Sequence, residues 1–506
     1  MARTTKQRKK EFYKDKRNSD ARKIIAKLTK DEQIQKKNDV SWYTKFESLA
    51  KASGNIIYGQ PMGEVLELGG RNPTSLGGIM KISLLPSIGI STDSSSPVNN
   101  MSRLVYSFIR HANSGSRNYE APDYMTYCLA MGSAYAYFAS LCRLYGVIRT
   151  YSTLNKFVAK ATVEALNFDY DNIVNQLANL RYYINYFAAR INTFAVPKDM
   201  TYYDRCAFLP LHVFKDNEGD KCSFYLFDYA KLFVWDGTTE STGSSLQPID
   251  WGIKTGKTLD DIQEVGENII NSLLNNEDIG IMSGDTLKAY GSNGVRTVLG
   301  IEDSFAITPI YNHDMLWQIH NARIVDISSV LTDDKVVQRD GYLVFNPTIT
   351  GYTGVNLGNK SLIMDSDLET PDYKFNLENS RLHVRYNSSM TKFIAVGTEL
   401  PIKAEIYAFF GEGSNQDLES NAVTDVKFNG STGVVDMAVV GVCYSSTFKL
   451  HPIWFVETKV GDNVYNYLPF ADLHNYTQVS DLAIKQLHNA ALLSLFAVPN
   501  AATAAK

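Results

Sequence analysis

Residues 101–147 read MSRLVYSFIRHANSGSRNYEAPDYMTYCLAMGSAYAYFASLCRLYGV and hold the strongest helical pattern of the chain. The first apolar side chains recur every three or four residues, which is the spacing that places side chains on one stripe of an α-helix. They are Met101, Leu104, Val105, Phe108, Ile109 and Ala112. The pattern predicts an amphipathic helix that ends at the Asn-, Ser- and Gly-rich loop after residue 112.

A second helix is predicted to begin at Pro122, because proline at the first helical position loses no hydrogen bond, and Asp123 suits the first turn. No charged residue lies in residues 124–142. A helix that is apolar on every side is either the centre of a large protein or a membrane span. Its tyrosines lie in mid-segment, whereas membrane tyrosines prefer the interfaces. We therefore predict a buried core helix.

Further patterns extend this core into a bundle. One apolar face runs from Leu154 to Ala165, and another recurs through Ile173, Leu180 and Ile191. With the first two helices they predict about four helices in residues 99–195. Residues 54–100 contain glycine pairs and prolines, and we interpret them as extended chain on the surface, without a phosphate-binding loop.

Strand patterns dominate after residue 200. Residues 206–214 and 222–235 predict a β-hairpin, and residues 342–355, 402–410, 434–444 and 447–456 predict further strands. Helices are predicted after a capping box at Thr258 and Asp261, and again from Ser480 and Asp481. The chain is therefore expected to be an α+β protein, with a helix-rich domain at 51–200 and a β-rich domain with some helices at 201–465. A C-terminal helix in 466–506 is expected to pack back on the helix-rich domain.

Charge is unevenly distributed along the 506 residues. Residues 1–40 hold 14 Lys and Arg against 6 Asp and Glu, whereas the remaining residues hold 36 against 48. A basic arm, residues 1–50, therefore precedes an acidic body. The arm is either a disordered tail with too few apolar residues to form a core, or a segment that neutralises nucleic-acid phosphates without reading sequence.

The cysteines and the N-terminus indicate the compartment. There are five cysteines, Cys128, Cys142, Cys206, Cys222 and Cys443, with no CxxC pair. This pattern predicts neither a disulfide framework nor a zinc site, and it suits a reducing compartment. The charged N-terminus lacks the apolar segment of a secretory leader.

No motif for catalysis is recognisable. GxSxG, HExxH and GxxxxGK[ST] patterns are absent. His313 and His320 are seven residues apart and could share a helix face, but no carboxylate stands at metal-ligand spacing beside them. We therefore expect no enzyme, no metal or other cofactor and no small-molecule substrate, although a site assembled from distant residues would leave no such trace.

The central stretch resembles the capsid proteins of picobirnaviruses, which have a segmented double-stranded RNA genome. The resemblance covers about residues 61–203, and beyond them the β-rich part is similar only in general character. It rests on YSFIRHANSG at 106–115, NYEAPD at 118–123, LAM at 129–131 and RLYG at 143–146.

The resemblance implies a structural protein that assembles through symmetric dimers into an icosahedral shell. The helix-rich domain would form the wall, the β-rich domain would project outward, and the N-terminal arm would face the interior, where it holds double-stranded RNA without sequence specificity. Assembly is expected in the host cytoplasm, without stable membrane insertion. The candidate RNA contacts are Arg3, Lys6, Arg8, Lys9, Lys10, Lys14, Lys16, Arg17, Arg22 and Lys23. The alternative is a non-catalytic cytosolic RNA-binding accessory protein, which would share the arm but would not form particles.

Overall fold

A computed structural model of the chain describes most of the helical part and less of the C-terminal third. Backbone and most side chains are described in 44–54, 78–115, 118–151, 156–219, 222–237, 243–324, 331–349, 362–366, 370–386, 399–407 and 479–498, together with the isolated residues 368, 448, 450 and 452. Backbone alone is described in 65–66, 74–75, 393–396, 408–410, 417–422, 427–429, 434–436, 453–454, 456–460, 463–467 and 477–478.

The chain divides into two compact units, Met1–Gln60 and Pro61–Lys506. The first contains one described helix, α1, at Glu47–Ser53, which buries no side chain. All other described elements belong to the second unit.

The second unit contains eleven described helices, six before residue 212 and five after residue 258. The first group is α2 Pro97–Ala112, α3 Ala121–Thr150, α4 Lys156–Ala165, α5 Tyr170–Asn175, α6 Leu177–Ile191 and α7 Tyr202–Leu211. The second group is α8 Leu259–Leu274, α9 Glu277–Tyr290, α10 His313–Asn321, α11 Tyr373–Asn379 and α12 Asp481–Phe496.

Described strands are mostly short. Up to residue 311 they are β1 Val65–Leu66, β2 Thr74–Ser75, β3 Ile79–Leu85, β4 Val213–Lys215, β5 Phe224–Tyr229, β6 Lys231–Asp236, β7 Ser245–Asp250 and β8 Ile310–Tyr311. From residue 323 to 396 they are β9 Arg323–Ile324, β10 Leu331–Thr332, β11 Val337–Arg339, β12 Tyr342–Val344, β13 Thr348–Ile349, β14 Leu362–Met364, β15 Val384–Tyr386 and β16 Phe393–Val396. The remainder are β17 Leu400–Phe410, β18 Asp417–Ala422, β19 Lys427–Asn429, β20 Val434–Asp436, β21 Ile453–Trp454, β22 Val456–Val460, β23 Asn463–Tyr467 and β24 Thr477–Val479.

Helix α3 forms the centre of the second unit. All but a few of its residues are buried, and it packs against α2, α6, α7 and β6. A reciprocal capping box between Glu120 and Asp123 fixes its start. Close approach of a neighbour is possible at Gly132, where a Cβ atom would overlap the ring of Tyr202 on α7. The predicted buried core helix is therefore confirmed, and it continues eight residues beyond Cys142.

The other predicted helices of the bundle are confirmed with adjusted limits. In α5 and α6 the residues Ile173, Leu180, Ile184 and Ile191 are buried as their spacing predicts. The face of α2 differs from the prediction, because Leu104 is 61% exposed while Asn99 and Ser102 are buried. These two polar side chains turn inward because they bond backbone carbonyls of Leu343 and Ala121.

A six-stranded mixed sheet packs beside the helices, with the strand order β18-β17-β3-β5-β4-β8. Strand β3 pairs in parallel with β5 and antiparallel with β17. Every residue of β3 is buried, so the prediction of surface chain was wrong for residues 79–85. The sequence obscured the strand because Lys81 interrupts its apolar run, and this lysine is neutralised in the core by Glu405 at 3.1 Å.

The predicted hairpin is partly wrong. Residues 206–211 belong to α7, and only β4 pairs antiparallel with β5. Helix α7 begins at Tyr202, and its buried residues Tyr202, Cys206 and Leu209 recur at helical spacing. This pattern is not visible when the sequence is read only from Cys206 onward. The second predicted strand of the hairpin, residues 222–235, is divided into β5 and β6, and β6 pairs with β7 instead.

The fold is a mixed α+β fold in which one hydrophobic core extends through the helices and the sheet. Strand β3 comes from the segment predicted to be helix-rich, and β4, β5 and β17 come from the segment predicted to be β-rich. The projection of part of 201–465 stays a prediction, because much of 408–476 lies outside the described residues or is described by backbone alone.

Candidate functional sites

A buried charge cluster lies where α3 meets the sheet. Arg143 donates from Nη1 to the carbonyl oxygen of Phe227 at 2.6 Å, and its Nη2 lies 3.7 Å from the carboxylate of Asp228. Both charged side chains are almost completely buried. Burial lowers the pKa of Arg143 to about 10, and Asp228 partly opposes this shift. The pairing explains why α3 continues through a charged residue that ended the uncharged run in the sequence.

Lys257 adds an amine to the same region. Its Nζ lies 4.2 Å from the ring centre of Phe168 and 4.3 Å from that of Trp251, and it donates to the carbonyl oxygen of Trp251 at 3.1 Å. Burial lowers the pKa of this lysine to about 7. The amine is buried beside two aromatic rings, which is an arrangement typical of a structural lysine.

The tyrosines of α3 connect the helix to its neighbours. Tyr124 bonds the hydroxyl of Thr286 at 2.9 Å, and Tyr127 donates to the carbonyl oxygen of Ala195 at 2.9 Å. Tyr137 donates to the carbonyl oxygen of Ile262. Each ring fills the core while its own buried hydroxyl group has a hydrogen-bond partner on a neighbouring element.

A second polar cluster joins α7, α10, α11 and α12. We call it the C-terminal polar cluster, and it comprises Arg205, Gln318, Glu378, Ser380, Arg381, Glu399 and His488. Arg205 pairs with Glu399, and Gln318 donates to Glu378 at 2.9 Å. Glu378 also lies 3.5 Å from Arg381. Sequence reasoning missed this cluster, because its members are spread over almost 300 residues and no spacing rule connects them.

Ser380 and His488 form a pair that resembles the start of a hydrolytic dyad. Ser380 Oγ lies 2.8 Å from His488 Nε2, and both residues are buried. The serine hydroxyl, however, donates its one proton to the carbonyl oxygen of Asn376 at 2.6 Å. Its oxygen therefore accepts from the imidazole, which is the reverse of the direction needed to activate a nucleophile. The pair ties α12 to the end of α11.

The histidines considered for metal binding have other partners. His320 Nε2 lies 3.2 Å from a carboxylate oxygen of Asp365, and His313 Nε2 accepts from the indole of Trp317 at 3.0 Å. Across the described residues, no group of three or more His, Cys, Asp or Glu side chains is arranged to hold a metal ion. Cys128, Cys142 and Cys206 are buried thiols, and burial raises the pKa of each to about 12, so they are poor nucleophiles.

The ten candidate RNA contacts, from Arg3 to Lys23, lie outside the described residues. In the described part of the chain, no helix is both long and apolar enough to cross a bilayer. Exposed apolar side chains do occur near α6, where Tyr182 is 75% and Leu299 is 85% exposed. Asn185 holds the segment of Leu299 against α6 through bonds to the backbone of Ile301.

Comparisons with known proteins agree on one family. The family model of the picobirnavirus capsid protein matches residues 42–443, so the similarity extends well beyond residues 61–203, where the sequence motifs lie. The chain is 25% identical over 521 aligned positions to the capsid protein precursor of Human picobirnavirus (strain Human/Thailand/Hy005102), covering 92% of this chain and 91% of the relative.

The fold matches as well. An X-ray crystallographic structure of the picobirnavirus capsid superposes with a TM-score of 0.76 at 23% identity, covering 92% of this chain and 99% of that chain. The family model and the curated relative therefore show that the chain belongs to the picobirnavirus capsid protein family, the non-enzymatic proteins that form the shell of the virion.

Proposed function

We propose that this capsid protein builds its shell from symmetric dimers and encloses double-stranded RNA against a basic N-terminal arm that faces the interior. The dimers would close into an icosahedral container in the host cytoplasm. A part of residues 201–465 would project outward from a wall formed by the helix-rich segment.

The observation that carries this proposal is the separation of charge along the chain. The first 40 residues carry a net charge of +8 and the remaining residues carry −12. A polyphosphate would be attracted to the arm and repelled by most of the body, so its binding would concentrate on one side of a shell. The cations would bind through counterion release, which makes the affinity fall steeply with salt and ignore base sequence.

Support for assembly through dimers comes from exposed apolar groups on the body. On α6, Tyr182 and Tyr186 are exposed one helical turn apart, and Leu299 lies on the adjoining segment. Aromatic side chains are enriched in the cores of protein interfaces. A symmetric dimer would cover the same patch on both partners, because a twofold contact is self-complementary.

The role of the arm is tested by replacing its ten candidate cations with glutamine. Particles of the variant should form but contain much less RNA, measured by the ratio of absorbance at 260 and 280 nm in purified particles. As a control, ten exposed Lys and Arg residues of the body are replaced instead, and these particles should retain their RNA. Equal RNA content in the arm variant and the wild type would refute the proposal.

The dimer is tested by native mass spectrometry of particles dissociated gradually with denaturant. Dimers should persist as the smallest folded species over a range of concentrations. Direct dissociation to monomers would exclude a dimeric building unit. A protein that never forms particles would instead match the RNA-binding accessory alternative.

A further inference from the structure

Helix α12 buries a histidine in an otherwise apolar face. Ile484, Leu492, Leu495 and Phe496 are buried along one side of the helix, and His488 lies among them at 2% exposure. The helix packs against α2, α11 and β16, and Phe496 stacks on Tyr202 of α7 at 5.1 Å between ring centres. A titratable ring at the centre of this contact makes helix docking sensitive to protons.

The hydrogen bonds determine which nitrogen of His488 carries the proton. Ser380 donates its hydroxyl proton to Asn376, so its oxygen accepts the Nε2–H of the imidazole. The other nitrogen, Nδ1, is buried and has no hydrogen-bond partner among the described residues. A second proton would therefore bind at Nδ1, while a backbone hydrogen bond with Ser380 raises the pKa of the ring and partly offsets its burial.

Burial is the largest effect that opposes a second proton on His488, and the nearby charges act in both directions. Arg381 lies on the turn after α11 and disfavours the imidazolium, whereas Glu399, before β17, favours it. Glu399 is already paired with Arg205 of α7, and Glu378 of α11 lies beside Arg381.

The other packed elements supply no anion. Strand β16 has no titratable residue in its sequence, and α2 contributes Arg103, Tyr106, Arg110 and His111. The hydroxyl of Tyr106 donates to the carbonyl oxygen of Tyr119. Arg103 and Arg110 donate to nearby backbone carbonyl oxygens. The titratable groups of α12 itself besides His488 are Asp481 and Lys485, and Lys485 is exposed.

We propose that His488 is an acid-sensitive latch of the C-terminal helix: the neutral imidazole holds α12 against the body through Ser380, and protonation at Nδ1 releases the helix. The rest of the subunit would remain folded when α12 detaches, because α3 keeps its contacts with α2, α6, α7 and β6. Acidification would therefore open one defined element of the shell subunit.

The pH window follows from the direction of the shift. Burial lowers the pKa of His488 from its usual 6.5 to about 4. Docking of α12 is therefore fully favourable above pH 6.5 and is progressively lost as the pH falls towards 4. With these two values the equilibrium for detachment rises about 30-fold between pH 7.5 and pH 5.

The latch is tested on assembled full-length particles by hydrogen–deuterium exchange at pH 7.5 and pH 5, corrected for the intrinsic exchange rate at each pH. Protection of the amides of 481–496 should fall about 30-fold in the wild type between the two values. It should stay nearly constant in His488→Gln, whose amide nitrogen can donate to Ser380 but cannot titrate. An exposed histidine of α2 provides the control, and His111→Gln should behave as the wild type.

A second variant keeps the test decisive if His488→Gln does not assemble. Arg381→Gln removes the cation that disfavours protonation, so the pKa of His488 in the docked state rises towards 6.5 and the acid-induced loss of protection becomes smaller than in the wild type. The proposal is overturned by constant wild-type protection at both pH values, by a 30-fold loss in His488→Gln, or by an unchanged loss in Arg381→Gln.

Discussion

Helix α3 and the C-terminal polar cluster are both buried, yet they are held by different forces. Around α3 most side chains are apolar or aromatic, apart from the buried pair of Arg143 and Asp228, and the tyrosine hydroxyls bond neutral groups such as Thr286 and the Ala195 carbonyl. In the C-terminal polar cluster, by contrast, Arg205 pairs with Glu399, and the charge of Glu399 acts on buried His488. The first region depends on close packing and the second on the protonation states of its members.

Because of this difference, we expect the two regions to respond differently to mutation and to pH. Packing of apolar groups is insensitive to pH, and its loss creates a cavity whose cost grows with the volume removed. Buried ionisable groups contribute little net stability but make stability depend on pH wherever their pKa differs between the folded and unfolded states. A shell subunit built in this way has a core held mainly by packing, with Lys257 as a buried amine beside it, and an acid-sensitive contact at α12.

The largest expected effect is the truncation of a ring on α3. Tyr137 is completely buried and stacks edge-on against Phe187 and Trp251 at 5.0 and 4.9 Å between ring centres. Tyr137→Ala should lower the free energy of unfolding by about 4 kcal/mol. The matched control is Tyr373→Ala on α11, where the side chain is 76% exposed, with an expected change within about 0.5 kcal/mol. Urea unfolding followed by tryptophan fluorescence measures both, and equal losses would contradict a packed core at α3.

The next effect concerns the one amine near α3 that titrates close to neutral pH. Because burial lowers the pKa of Lys257 from 10.5 to about 7, the folded state prefers the neutral amine. Its contribution to stability is full above pH 10.5 and decreases as the pH falls to 7.

Lys257→Met removes this pH dependence. Relative to the variant, the wild type should lose about 3 kcal/mol of unfolding free energy between pH 9.5 and pH 7.5. Urea unfolding at the two pH values measures the difference, with Lys288→Met on the exposed side of α9 as the control. A constant difference between the variant and the wild type would show that the amine does not titrate in this range. If Lys257 does titrate, stability near α3 falls with pH in the alkaline range, whereas the contribution of His488 falls with pH in the acidic range.

A smaller effect tests how closely α7 approaches α3. A Cβ atom added at Gly132 would overlap Cε1 and lie 2.9 Å from Cζ of the buried Tyr202 ring. Gly132→Ala should therefore cost about 2 kcal/mol through overpacking. In contrast, Gly280→Ala on α9 meets nothing within 4 Å and should stabilise the protein by about 1 kcal/mol through helix propensity. Thermal unfolding separates the two, and a stabilising Gly132→Ala would show that the helices are not in contact.

Local rules predicted the elements whose signals lie within a few residues. The start of α3 at Ala121–Pro122 and the capping box of α8 at Thr258 and Asp261 follow from side chains that bond nearby backbone groups. The end of α3 could not be predicted, because Arg143 is accepted in the core only through partners about 85 residues away.

The same reason explains the missed strand and the missed polar cluster. Lys81 suits a buried strand only because Glu405 faces it from β17, and His488 pairs with a serine 108 residues away. Partners at such distances are selected by the tertiary fold and leave no periodic pattern in the sequence. The shell function could be predicted from the motifs in 106–146, whereas the contacts of α12 could be identified only in the structure.

Electron cryomicroscopy of the particles at pH 7.5 and at pH 5 tests the contrast between the two regions most directly. At pH 7.5 we expect closed shells with clear density for both α3 and α12. At pH 5 the density for α12 should weaken while α3 stays in place in the interior of each subunit. Equal persistence of both helices at pH 5, or loss of α3 before α12, would contradict the account.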